Sequence, residues 1–255
     1  GAARDGKNYG LASLTSSLID AGGATLSLDQ IANSFDSVGA IYGSRISKDY
    51  ATISLQSAVG HGYFTKAFST FLDVIAIPNF SDKDLNRAKN QTLQYIKVMQ
   101  QDPEKVAFQE FFHELYQDHP YGHLKYGELE TVKALTKKSV QSFYGDYYAA
   151  ANSSLVIVGD LDINDAKQIS AKIDAALPSG EPAPLQELAV SKGAKHKNIA
   201  HSSTQSTLIF GKLGITPNNE DLFPLKLASH ILGGGMRSRL SEDIREKQGL
   251  VYGVY

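Results

Sequence analysis

The sequence contains no cysteine, and this absence excludes several classes of protein. Disulfide scaffolds, thiol catalysis and every metal or iron–sulfur site built on cysteine are ruled out. Charge of one sign is not in excess, because 25 basic and 27 acidic residues leave a net charge of −2. We therefore expect no nucleic-acid partner of the kind that a broadly basic protein binds. No apolar run approaches the roughly 20 residues of a transmembrane helix, so we expect no membrane span.

What is present is a chain of 255 residues, 42% of them hydrophobic, which is enough for a packed core. Apolar spacing predicts helices and apolar runs predict strands, and the mixture indicates an α+β protein. The predicted helices cover residues 8–20, 28–38, 64–77, 82–101, 103–115, two stretches within 132–149, 163–177, 222–232 and 238–247. The predicted strands cover residues 40–46, 50–58, 153–158 and 206–211, and a further one begins at residue 250.

A segment rich in proline and glycine, PSGEPAPLQE at 178–187, is the best candidate for a linker. We therefore predict a first domain over 1–178, a linker over 179–191 and the start of a second domain over 192–255. Gly1 replaces an initiator methionine and Tyr255 closes an apolar run, so we expect a fragment of a longer protein.

Among the seven histidines, only His119 and His123 have a spacing that suggests a metal site. They lie four residues apart, but Pro120 and Gly122 between them prevent a helix that would place both on one face. Neither His-x-x-Glu-His nor His-Glu-x-x-His occurs, and no Gly-x-Ser-x-Gly nucleophile motif is present. Two interpretations stay open for this pair, an exposed turn and an unusual set of zinc ligands.

Arg245 and Tyr252 lie on either side of the Gly249 helix break, at the end of a predicted helix and in a predicted strand. A helix–glycine–strand connection brings both side chains to one side of a cleft, where they supply hydrogen-bond donors to a peptide carbonyl or its oxyanion. The alternative is a structural pairing of Arg245 with Glu242 or another acidic neighbour, with Tyr252 as a half-buried strand residue.

Taken together, these segments resemble the M16 peptidase family, whose members include pitrilysin and the mitochondrial processing peptidase. LGGG followed by MRSRLSEDIREKQGLVYGVY resembles the second-half signature of the family, and QDHPYGHLKYGELETVKALT with FYGDYYAAANSSLVIVGDLD resembles the first-half pattern. GLASLTSSLIDAGG and SVGAIYGSRISKDYATISLQ, which lie earlier in the chain, occur in the same order as the corresponding segments of the family. The resemblance implies an α/β roll, a mostly antiparallel sheet covered by helices, with the start of a second similar domain.

The chain departs from the family where catalytic members carry His-x-x-Glu-His on the first helix. Those positions are Ser13, Ser16 and Ser17, and the position of the third metal ligand falls near Asn86. Neutral hydroxyls are poor zinc ligands and cannot act as a general base near neutral pH. The resemblance therefore implies degenerate zinc-site positions and no metal or other cofactor in this chain. The resemblance implies that a chain of this kind is inactive by itself. Whether the protein is part of an active enzyme therefore stays open.

The family's Arg/Tyr pair, seven residues apart, is retained as Arg245 and Tyr252. In several two-chain members, one subunit holds the zinc and the other supplies this pair. The resemblance thus implies a non-catalytic subunit that binds peptide and completes the active site of a zinc-bearing M16 partner in a heterodimer, with self-association as the other assembly. The alternatives are a scaffold homologue without a proteolytic role, and a zinc peptidase that uses His119 and His123.

The cellular compartment stays open. The balanced charge, the missing cysteine and the lack of an organelle signal suit the bacterial periplasm or cell envelope as well as any other place.

Overall fold

The computed structural model describes residues 1–184, 193 and 195–255 of the chain. They divide into two compact units, Gly1–Ile209 and Phe210–Tyr255. The predicted domain boundary stays a prediction, and most of the predicted linker, residues 185–191, lies outside the described residues. No helix in the described ranges is both long enough and apolar enough to cross a membrane.

Both units are rich in helices. The first unit contains α1 (Leu11–Ser16), α2 (Leu28–Asp36), β1 (Ile41–Ile46), β2 (Ala51–Gln56), α3 (Tyr63–Ala76), α4 (Asp82–Gln101), α5 (Pro103–Tyr116), α6 (Leu129–Ala134), α7 (Lys137–Tyr147) and α8 (Ile163–Ala176). It also has short 3₁₀ turns at Ala2–Arg4, Ile19–Ala21, Gly60–Gly62 and Ala150–Asn152. The second unit contains α9 (Leu222–Gly233) and a π-helical turn at Ser241–Lys247.

Side chains that cap helices fix several of the helix starts. Ser27 accepts a hydrogen bond from the Gln30 amide and Gln30 reciprocates, which completes a capping box before α2. The Ser81 hydroxyl caps α4 by accepting a hydrogen bond from the Asp84 amide, and Asp102 caps α5, whose first residue is Pro103. These starts confirm the sequence prediction, because a cap depends only on residues that are close together in the chain.

The strands β1 and β2 form an antiparallel hairpin in which Ile41 pairs with Gln56 and Ile46 with Ala51. Burial alternates along β2, as expected for a sheet with one face on the core and one in solvent. Tyr42, Ile53 and Leu55 pack from this hairpin onto the hydrophobic core. The hairpin confirms the prediction from the two strand-like runs.

The core of the first unit lies where α1, α2, α3 and α7 pack together behind the hairpin. Its most deeply buried side chains come from the first helix, the turn after it, and the helices that cover them; they are Leu14, Leu18, Ile19, Val74 and Val140. This mixture of helices with an antiparallel hairpin confirms the α+β class.

Three predicted strands are wrong. Residues 153–158, 206–211 and 250–255 have no strand conformation, and Val158 is 92% exposed. A strand needs hydrogen bonds from a neighbouring strand, and within the described residues β1 and β2 pair only with each other. The predicted first helix is also too long, because α1 ends at Ser16 and a separate 3₁₀ turn follows at Ile19–Ala21.

Candidate functional site

The helix α1, in and directly after which the sequence resemblance predicts degenerate zinc-site positions, is held at its start by a buried carboxylate. Asp5 is 2% exposed and accepts hydrogen bonds from the amides of Gly10 and Ala12, both at 2.8 Å. These amides belong to the donors that a helix start leaves without partners inside the helix. Burial raises the pKa of Asp5 to about 6, against the opposing effect of the two amides.

Two of the three serines on α1 are held by hydrogen bonds. The Ser16 hydroxyl is buried and lies 2.7 Å from the Ser44 hydroxyl of β1, which in turn donates to the Ser16 carbonyl at 3.3 Å. The exposed Ser17 hydroxyl donates back to the Leu14 carbonyl at 2.9 Å. Ser13 is half-buried one turn earlier on the helix.

These positions do not fit a zinc ion. The Ser16 hydroxyl is already engaged with Ser44, and serine offers a neutral oxygen where zinc favours imidazole, thiolate or carboxylate. Asn86 is exposed on α4, and its neighbours Leu85 and Ala88 are the buried residues of that helix turn. Among the described residues, no group of three or more histidine, aspartate or glutamate side chains is placed to hold a metal ion.

His119 and His123 are half-buried in the loop between α5 and α6. The Nδ1 atom of His119 accepts a hydrogen bond from the Tyr121 amide at 3.2 Å. The Nδ1 atom of His123 lies 2.8 Å from the Leu124 carbonyl, and its ring stacks on Tyr9 with 4.3 Å between centroids. Burial lowers the pKa of His123, which favours the neutral ring.

In the second unit, the structure brings Arg245 and Tyr252 together. The Arg245 Cζ atom lies 6.0 Å from the centroid of the Tyr252 ring, within the range of a cation–π contact. Tyr252 itself is 92% exposed, so its hydroxyl is open to a ligand. Arg245 also lies beside an acidic neighbour, Glu246, with Nη1 to Oε1 at 3.7 Å, which is the kind of pairing that the alternative interpretation of the sequence predicts.

A π-helical turn positions this arginine. Ser238 lies just before it, is buried, and receives the Ser241 amide on its hydroxyl at 3.4 Å. The turn ends where the Gly249 amide bonds to the Arg245 carbonyl at 3.1 Å, and Gly249 adopts the positive φ of 62° that a glycine tolerates. Arg245 also lines a cavity of about 400 Å³ together with the glycines at 233–235.

Sequence reasoning did not identify Ser44 or Asp5 as parts of the first site. Ser44 lies 28 residues from Ser16, so only the packing of β1 against α1 brings their hydroxyls together. Asp5 was detectable as a polar residue near a helix start, but it caps α1 from five and seven residues away, outside the usual N-cap position.

Two family models match this chain, one on each side of a short gap. Residues 1–127 match the model described as insulinase (peptidase family M16), and residues 134–255 match the model described as peptidase M16 inactive domain. The chain belongs to peptidase family M16. The family resemblance of the sequence is thereby confirmed.

Solved and curated M16 proteins are similar to the chain over most of its length. An M16 inactive domain from Pseudomonas fluorescens is 33% identical with a TM-score of 0.87, over 100% of this chain and 62% of that one. An uncharacterized zinc protease of Rickettsia bellii is 29% identical over 91% of this chain and 56% of its own length. A protein of Helicobacter pylori named non-peptidase homolog YmxG is 25% identical over 76% of this chain and 45% of its own length.

The chain thus spans about half the length of the curated M16 proteins that it matches. The close structural match to the Pseudomonas fluorescens domain confirms the M16-type α+β fold.

Proposed function

We propose that the chain is part of a non-catalytic M16 subunit that binds peptide and supplies Arg245 and Tyr252 to the active site of a zinc-bearing M16 partner. The observation that carries this proposal is the contrast between the two sites. The α1 positions offer only serine hydroxyls, whereas the guanidinium of Arg245 and the exposed ring of Tyr252 lie together. The name non-peptidase homolog, borne by the Helicobacter pylori relative, agrees with it.

In this function the pair acts through its hydrogen-bond donors. A guanidinium is always charged and presents its N–H groups in a fixed plane, and a phenol adds one O–H donor. Both suit the carbonyl oxygen of a peptide, and they suit it better when that oxygen becomes an oxyanion during hydrolysis. The partner provides the metal chemistry, and this chain positions and polarises the peptide.

The test is peptide cleavage by the complex with the zinc-bearing subunit, comparing the native protein with the variant Arg245→Ala. We expect turnover to fall by about two orders of magnitude, the scale for loss of one oxyanion donor. The matched control is Arg239→Ala, an exposed arginine of the same segment, which should leave turnover unchanged.

Separate measurement of peptide affinity shows whether the loss lies in binding or in turnover. An unchanged rate for Arg245→Ala would contradict the proposal and favour a scaffold homologue without a proteolytic role. Cleavage by the chain alone, lost in His119→Ala, would instead favour a peptidase with unusual ligands.

A further inference from the structure

A pocket on the first unit lies away from the serine positions of α1. The 3₁₀ turn at Ile19–Ala21, the helix α2 and the first residues of β1 enclose a cavity of about 310 Å³. Its floor is apolar, since Ile31, Phe35 and Ala40 are buried beneath it, and Ile41 stands 62% exposed at its wall. A cavity of this size accommodates one side chain.

Two carboxylates line this otherwise apolar pocket. Asp20 is half-buried at the 3₁₀ turn, and Asp36 is exposed at the end of α2. Neither takes part in any of the ion pairs formed by the described residues. Burial raises the pKa of Asp20, and the charge of Arg87 on α4 opposes that effect. The residues that line the pocket thus include two carboxylates and no cation.

An aromatic wall completes the pocket. The rings of Phe35 and Tyr42 stack with 5.7 Å between centroids, and Tyr42 lines the cavity. Aromatic faces attract cations, and an apolar surface covers the aliphatic stem of a long basic side chain while its charged end reaches a carboxylate.

We propose that this pocket binds a lysine or arginine side chain of a peptide, with the stem on Phe35 and Tyr42 and the charged end at Asp20 and Asp36. The identification of the occupant as a peptide side chain rests on the proposed peptide-binding function. The charge and the shape of the pocket are observed independently of that function. A neutral apolar side chain would remove water from Asp20 without replacing it, and an anion would be repelled. The pocket thus selects a basic side chain over a neutral or an acidic one.

The test is fluorescence anisotropy with the intact protein and two labelled, unstructured peptides that differ only in one arginine or glutamine. We expect the arginine peptide to bind about fivefold more tightly, the scale of a partly exposed charge pair. Asp20→Asn and Asp36→Asn should each reduce this preference, and the double variant should abolish it. Asp29→Asn is the matched control, because Asp29 lies on α2 but does not line the pocket.

Two further measurements separate the pocket from a general electrostatic effect. Ala32→Leu fills the cavity from the exposed side of α2 without changing charge, so it should also remove the preference. The preference should also grow as the pH rises, because burial raises the pKa of Asp20 and its carboxyl attracts a cation only once it has lost its proton.

Equal binding of both peptides, or a preference that survives in the double variant, would overturn the proposal while leaving peptide binding intact. If neither peptide binds, arginine amide alone is titrated and followed by NMR. Shifts of the Ile41 and Tyr42 resonances that disappear in the double variant would then uphold the pocket independently of peptide binding, and their absence would overturn it.

Discussion

At the scale of single residues, two glycines allow the start of α1 to meet the segment before α6. Gly10 and Gly127 have φ values of 93° and 79°, which a residue with a Cβ atom rarely adopts. A Cβ atom on Gly127 would lie 2.2 Å from the Tyr9 carbonyl oxygen, and one on Gly10 would lie 2.6 Å from the Tyr126 carbonyl oxygen. The two backbones are therefore in direct contact, which no larger residue permits.

The variant Gly127→Ala should lower the free energy of unfolding by about 2 kcal/mol, because it combines a strained φ with a backbone clash. Urea unfolding measures this change. The control is Gly145→Ala in the interior of α7, where a Cβ atom meets nothing within 4 Å. The variant Gly145→Ala should raise the free energy of unfolding by about 0.5 kcal/mol. Equal urea midpoints for Gly127→Ala and Gly145→Ala would contradict the close backbone contact at Gly127.

Asp5 makes stability depend on pH in an unusual direction. Its pKa is raised from 3.8 to about 6 in the folded protein, chiefly by burial. The folded state therefore holds the proton more tightly than the unfolded state. The contribution of the protonated Asp5 carboxyl to the free energy of unfolding is fully present below pH 3.8 and is lost as the pH rises through about 6.

We expect this residue to lower the free energy of unfolding by about 2 kcal/mol between pH 4 and pH 7. Unfolding measured across this range in the native protein and in Asp5→Asn checks it, since the asparagine variant loses this part of the pH dependence. Parallel pH profiles for the two proteins would show that the Asp5 carboxyl does not titrate as described.

At the scale of elements, α1 and β1 are joined through the Ser16 and Ser44 hydroxyls. Ser16 is one of the positions that the sequence resemblance predicts to be degenerate zinc-site positions, and in this structure its hydroxyl faces Ser44. A buried hydroxyl is stable only when it is hydrogen-bonded, so the two serines depend on each other.

Ser16→Ala and Ser44→Ala should each reduce the free energy of unfolding by about 1 kcal/mol. The double variant should cost less than the sum by at least about 0.5 kcal/mol, because the second substitution removes a hydroxyl that has already lost its partner. Thermal unfolding of the native protein, the two single variants and the double variant measures these differences in the free energy of unfolding. Ser142→Ala, at an exposed serine of α7, is the control, and strict additivity would contradict the pairing.

At the scale of the whole molecule, the chain combines one unit without metal-binding groups on α1 with another that presents the Arg/Tyr pair. The insulinase model matches residues 1–127 of the first unit, and the M16 inactive-domain model matches the rest of that unit from residue 134 together with the second unit. The function that we propose places the metal ligands on a partner chain, because no group of three or more histidine, aspartate or glutamate side chains among the described residues is placed to hold a metal ion.

Zinc content tests this statement directly. After incubation with zinc and removal of excess metal, elemental analysis should find well below one zinc per chain, since serine hydroxyls bind zinc poorly. A complex with a zinc-bearing M16 partner should contain zinc in proportion to the partner alone. One zinc per chain in the isolated protein, lost in His119→Ala and His123→Ala, would contradict this expectation.

Features that depend on residues close together in the chain were predictable from the amino-acid sequence. The caps at Ser27, Ser81 and Asp102, the hairpin and the long helices follow from local spacing and local hydrogen bonds, and the structure confirms them. Family membership also follows from the sequence, because motifs such as LGGG and the Arg245–Tyr252 spacing are contiguous patterns.

Contacts between residues that are distant in the chain became visible with the folded structure. The Ser44 hydroxyl contacts the Ser16 hydroxyl, and the Asp5 carboxylate accepts a hydrogen bond from the start of α1. Asp20 and Tyr42 line one pocket, which no sequence motif predicts. It also showed that residues 153–158 are not a strand, despite their strand-like composition. The physical reason is the same in each case, since side-chain burial and strand pairing require neighbours that are remote in the chain, and local propensity does not specify them.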